Sequence, residues 1–132
     1  MKRVFLVSST EMEEANLDSE NSFLIEALDK RGIQASIKHW NVPEVKWSEA
    51  DLVISRNTST YIWDPEKFMK WARKVEENTP LWNSSQAMEW SHHKRYLIEL
   101  QQHGIPMPET MLIKQNTEQT MKEIKEIIPW DD

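Results

Sequence analysis

Three stretches of this sequence bring together side chains that could do chemistry. The first is centred on Lys94, which follows Ser91-His92-His93 and precedes Arg95-Tyr96-Leu97. Ser91 is a helix N-cap type, and Tyr96, Leu97 and Leu100 recur at helical spacing until Gly104, which places Lys94 near the start of a helix. A cation there opposes the helix macrodipole, so the position is either a seat for an anion such as phosphate or a solvated lysine. The second stretch, Arg56-Asn57-Thr58-Ser59-Thr60-Tyr61, is polar and lacks any helical or strand period; it directly follows the apolar run Asp51–Ser55. Loops at the carboxyl ends of parallel strands are where α/β sheets bind ligands, so Arg56 and Tyr61 are candidate substrate contacts. The alternative is an Arg56 paired with a carboxylate and a Tyr61 packed on the sheet edge. The third is Asn83, which either caps a helical turn together with Gln86 or faces ligand from the end of the Leu81-Trp82 strand.

Other chemistries find little support. His92 and His93 diverge on a helix, and no Asp, Glu or Cys stands beside them at ligand spacing, so no metal site is expected. Cysteine is absent, which removes disulfides, thiolate metal sites and a cysteine nucleophile. The only two glycines are Gly32 and Gly104. Each follows an amphipathic helix and precedes an isoleucine, so both are used as helix stops and none remains for a phosphate-cradling loop. A net charge of -6 argues against a nucleic-acid or anionic-membrane surface. The opening apolar run is too short for a signal peptide or a membrane span, and a cytoplasmic location is expected.

These residues must be positioned by elements that the pattern also shows. Arg3–Ser8 is a continuous apolar run, typical of a strand buried on both faces, with Ser8, Ser9 and Thr10 as its polar exit. The acidic residues that follow are expected to form a mobile loop. From about Ser19 a helix carries Phe23, Leu24, Ala27 and Leu28 on one face. Gln34–Trp40 and Asp51–Ser55 read as further strands, separated by a loop at Asn41–Ala50. Asp64-Pro65 starts a helix with Phe68, Trp71, Ala72 and Val75 as its buried stripe. Leu81-Trp82 is a short strand in which Trp82 has a packing role, whereas Trp40, Trp47 and Trp63 are left unassigned near loops. Pro106 and Pro108 force extended backbone on their predecessors, giving a strand over Pro106–Ile113. Asn116 with Gln119 caps a last helix bearing Met121, Ile124 and Ile128. The expected architecture is α/β: a small Rossmann-like parallel sheet flanked by helices in residues 1–91, then a linker helix and the start of a second unit in residues 92–132.

The segment His93-Lys94-Arg95-Tyr96-Leu97, Leu100, Gly104-Ile105-Pro106 and Pro108-Glu109-Thr110 resembles the entry into the ATP-grasp ligases. The similar branches are those of glutathione synthetase, of ribosomal-protein-S6 modification and of the cycloserine ligase. In this sequence His93 replaces the acidic or amide residue usual before the lysine. The resemblance implies a pre-ATP-grasp domain followed by a truncated ATP-grasp unit, in a carboxylate–amine ligase that works through an acylphosphate. It implies that Lys94 contacts nucleotide phosphate, and that Ser9, Thr10, Arg56, Tyr61 and Asn83 line the substrate side. ATP and magnesium belong to the presumed longer protein, since the second nucleotide lysine, the glycine-rich loop and the acidic magnesium ligands of such enzymes are missing here. The fragment is expected to be inactive and to hold no cofactor tightly. Its expected partner is a small-molecule carboxylate or amine, with a homodimer also compatible. Two other classes stay open: a non-catalytic α/β binding or assembly module, and a glycan- or nucleotide-binding surface made of exposed tryptophans.

Overall fold

The computed structural model describes residues 1–14, 20–113 and 121–128, and the chain divides into two compact units, Met1–Glu89 and Trp90–Asp132. The first unit is built on four strands, β1 (Lys2–Ser8), β2 (Ile33–His39), β3 (Leu52–Ser55) and β4 (Leu81–Trp82). All pair in parallel, in the order β2-β1-β3-β4. The α/β class and parallel sheet expected from the sequence are therefore what this chain forms. β1 lies inside the sheet, and every residue from Val4 to Ser8 is buried, as a continuous apolar run requires.

Helix α1 (Thr10–Glu14) occupies part of the stretch expected to be a mobile loop. Ser9 is the reason: its hydroxyl accepts from Met12 N at 3.4 Å and its carbonyl from Glu13 N at 3.2 Å. Glu11 and Glu13 suit the positive end of the new helix, and the buried Met12 anchors it. Helix α2 (Glu20–Asp29) packs on β2, with Leu24, Ala27 and Leu28 of the expected face half-buried but Phe23 outside it. Asn21 is buried, while Phe23, on the far side of the helix from Asn21, is 74% exposed.

Helix α3 (Pro65–Glu76) begins as its sequence demands: Asp64 Oδ1 accepts from Lys67 N at 3.1 Å and Pro65 takes the first turn. Its buried stripe of Phe68, Met69, Trp71, Ala72 and Val75 covers Phe5, Val7, Val53 and Leu81 of the sheet. Aromatic rings link the layers. Phe5 meets Trp47 at 6.2 Å, Trp47 meets Trp71 at 5.3 Å, and Phe68 contacts Trp71 at 5.1 Å, Trp40 at 5.1 Å and Tyr61 at 5.3 Å. Trp40 and Trp47 thus fasten the β2–β3 connection to α3. Trp82, in contrast, is 64% exposed; β4 is a two-residue edge strand, and only Leu81 points inward.

Helix α4 (Ser85–His92) follows β4. Its cap is Ser84, whose hydroxyl accepts from Ala87 N at 3.2 Å. Neither Asn83 nor Ser91 caps a helix here, and Ser91 lies inside α4. In the second unit, α5 (Tyr96–Gln102) is preceded by a turn holding Lys94. Its end is a Schellman stop: Gly104 has φ 71°, its N–H donates to Gln101 O at 3.0 Å, and Ile105 N donates to Leu100 O at 3.1 Å. Gly32 also has φ 71° after α2. Residues 105–113 form no strand, so the prolines enforce extended backbone without a partner strand to pair with. Helix α6 spans Met121–Ile127, and the Asn116–Gln119 capping pattern lies outside the described residues. No described helix is long and apolar enough to cross a membrane.

Candidate functional site at the carboxyl edge of the sheet

In the order β2-β1-β3-β4 the chain leaves β1 toward one side for β2 and returns to the other for β3. The carboxyl ends of β1 and β3 therefore flank the crevice where doubly wound sheets receive ligands. Ser9 and Thr10 lie after β1, Arg56 after β3, and Asn83 after β4. All four stand at this edge because parallel strands deliver their exits to one side.

The exits are tied to one another. Asn57 N donates to Val7 O at 3.1 Å, and Ser59 Oγ donates to Met12 Sδ at 3.3 Å, which joins the β3 exit to the β1 exit. Asn83 Nδ2 donates to Ser55 O at 2.6 Å, joining β4 to β3. Its backbone is left-handed at φ 60°, so this asparagine serves as a strand-end clasp. Asn41, just beyond β2, accepts from Thr10 N at 3.3 Å and donates to Thr10 Oγ1 at 2.8 Å. The same Nδ2 lies 3.1 and 3.0 Å from the two carboxylate oxygens of Glu11.

Glu11 is held below the ordinary carboxylate range, first by its own backbone N–H and then, against an opposing push from burial, by Ser9, Thr10 and Asn41. A carboxylate with a depressed pKa contributes its contacts above the unfolded value and loses them as pH falls through the folded one. The Asn41 side-chain amide resonances should accordingly titrate with a midpoint below 4.5, the ordinary value for this group. A midpoint at or above that value in an NMR titration contradicts the contact.

A cavity of ≈ 130 Å³ opens at this edge, lined by Glu11, Asn41, Thr60, Trp63 and Lys67 among others. The Thr60 hydroxyl is buried and has no hydrogen-bond partner among the described residues. The lining therefore offers the carboxylates of Glu11 and Asp64, the Lys67 ammonium and the Asn41 amide, with the Thr60 hydroxyl buried beside them. Such a set can hold a small zwitterion, with the amine toward Glu11 and the acidic group toward Lys67. Sequence reasoning placed Thr60 in the candidate Arg56–Tyr61 loop but passed over Glu11, Asn41 and Lys67. The signal was present for Asn41, a polar residue directly after a strand end, but Lys67 projects from a helix whose pattern shows only packing.

The other candidates have different surroundings. Ser9 is fully buried, with its hydroxyl capping α1. Arg56 pairs with Glu20 at 3.3 Å, both side chains being exposed. The half-buried Tyr61 ring stacks on Phe68 at an interplanar angle of 29°. Lys94 belongs to the second unit, where its ammonium lies 5.7 Å from the Tyr96 ring centre. Among the described residues no three His, Cys, Asp or Glu side chains form a set able to hold a metal ion.

Comparison with known proteins adds to this geometry. A family described as the N-terminal domain of D-cycloserine synthetase DcsG matches residues 4–83. The cycloserine biosynthesis protein DcsG of Streptomyces lavendulae is 29% identical over 97 residues, covering 74% of this chain and 32% of that protein. The crystal structure of D-cycloserine synthetase DcsG is similar with a TM-score of 0.72 at 28% identity, over 79% of this chain and 34% of that one. The chain thus spans about a third of the length of these relatives.

Proposed function

The chain belongs to the family of D-cycloserine synthetase N-terminal domains, and from that premise we propose that it is the substrate-side domain of an ATP-dependent carboxylate–amine ligase of the ATP-grasp type. The small amino-acid-like substrate of this ligase sits at the carboxyl edge of the sheet. The observation that carries the reading is the edge cavity, where Glu11, Asn41, Thr60 and Lys67 converge in a domain of this family. Glu11 and Lys67 fix the two charged ends, the backbone N–H of Glu11 favours its ionised form while Asn41 orients it, and Asn83 keeps the β3 and β4 exits in place. Ser9 acts through α1, whose first turn it sets. ATP with magnesium would supply the phosphoryl group that activates a carboxylate. Lys94 is the side chain of this chain offered to phosphate, and no magnesium ligand is assigned here.

The test uses D-cycloserine, the product named for the relative, as an NMR probe. It should shift the amides of Glu11, Asn41 and Thr60 saturably, and Glu11→Gln should weaken that binding. The chain alone should form no ADP from magnesium ATP. Shifts that bypass these three residues, or no saturable shift, overturn the substrate assignment; ADP formation by the chain alone overturns the assignment of the nucleotide machinery elsewhere.

A further inference from the structure

A second, larger groove adjoins the edge cavity, sharing Trp40, Asn41 and Lys67 with it, and runs between the β2–β3 connection and α3. Its volume is ≈ 460 Å³, within the range of roughly 300–1,000 Å³ usual for small-molecule sites. Trp40, Trp47 and Trp71 line it together with Lys67, Lys70 and Lys74, with no Asp or Glu among the lining residues. Spacing explains the lysine row: positions 67, 70 and 74 fall on one face of a helix, next to the stripe that buries Phe68, Trp71 and Val75.

Two observations mark this groove as a site for an anion. The first is charge. On a chain of net charge -6, Lys70 and Lys74 have no carboxylate partner among the described residues, and Lys67 lies 5.9 Å from the centre of the Trp40 ring. The second is a pair of unspent donors. The indole N–H groups of Trp40 and Trp71 have no hydrogen-bond partner among the described residues, although these side chains are only 7% and 9% exposed. Buried donors are ordinarily satisfied, and here two unsatisfied ones belong to residues that line the groove and lie just beneath its surface. Apolar rings and a row of cations together match a flat apolar body carrying one acidic group.

We propose that this groove binds a small planar organic anion, such as an aromatic carboxylate, with its ring against the tryptophans and its charge toward Lys70 and Lys74. Trp40, Asn41 and Lys67 also line the edge cavity, whereas Trp47, Lys70, Trp71 and Lys74 line the groove alone, so the lysine pair and the Trp71 resonance report on the groove and not on the ligase reading.

Indole-3-acetate, its neutral amide indole-3-acetamide and inorganic phosphate separate the contributions. Indole-3-acetate should move the indole N–H resonances of Trp40 and Trp71 saturably, leaving those of the exposed Trp63 and Trp82 in place. The amide should bind about three- to tenfold more weakly, and the exposed double change Lys70→Gln with Lys74→Gln should weaken indole-3-acetate by a similar factor, since each surface charge contact contributes modestly. Raising the salt concentration should weaken it further. Equal binding of acid and amide, an unchanged affinity in the lysine variant, phosphate binding as tightly as indole-3-acetate, or no saturable shift at Trp40 and Trp71 each overturns the proposal.

Discussion

Phe68→Ala should destabilise the protein by about 3–5 kcal/mol, the usual cost of emptying a buried phenylalanine site. Phe68 is 3% exposed and touches the rings of Trp40, Tyr61 and Trp71. Its loss leaves a void that three large, rigid neighbours cannot easily fill. Against a typical total stability of about 5–15 kcal/mol, much of the folded population is at stake. Phe23→Ala provides the contrast. The same atoms are deleted from a side chain that is 74% exposed, and the change should stay within about 0.5 kcal/mol. Urea denaturation of the two variants measures the difference directly, and similar midpoints would contradict the burial assigned to both rings.

The second large effect is expected at Asn83, where two causes can be separated. Asn83→Gly keeps the left-handed backbone and removes the bond to Ser55 O, costing about 1 kcal/mol. Asn83→Val removes the same bond and forces a β-branched residue into φ 60°, which adds about 1–2 kcal/mol. The valine variant should therefore fall below the glycine variant in denaturant midpoint. Its amide resonances from Ser55 to Thr58 should also broaden as the β3 exit loosens. Equal midpoints for the two variants would remove the backbone argument, and two wild-type midpoints would remove the clasp.

Where local chemistry decided the outcome, the sequence was readable. The apolar run at Val4–Val7, the Asp64-Pro65 start and the stops at Gly32 and Gly104 each carry their cause within a few residues. Asn83 and Ser84 are adjacent and both suit a cap. What separates them is the carbonyl of Ser55, 28 positions earlier in the chain, and no local pattern contains that contact. Once Ser84 starts α4, Ser91 is carried along inside the helix. The inner face of α2 depends on where β2 lies, which left Phe23 outside and Asn21 within. At Pro106 and Pro108 extended backbone was foreseeable, but a strand needs a pairing neighbour and prolines withhold the N–H that would recruit one. The edge cavity followed the same division. The polar strand exits could be read, but Lys67 and Thr60 reach it through the packing of α3 and its preceding turn.

Of the four strands β1 is synthesised first, and it is hydrogen-bonded on both sides. β1 finds its partners at Ile33–His39 and Leu52–Ser55, so its most apolar segment must wait for the first until β2 has emerged and for the second until β3 has. Pairings this distant close slowly, and a waiting apolar strand invites association with other chains. Expression yield should thus respond more sharply to changes in β1 than to changes in β4, whose neighbour among the described strands, β3, is already in place when it is synthesised.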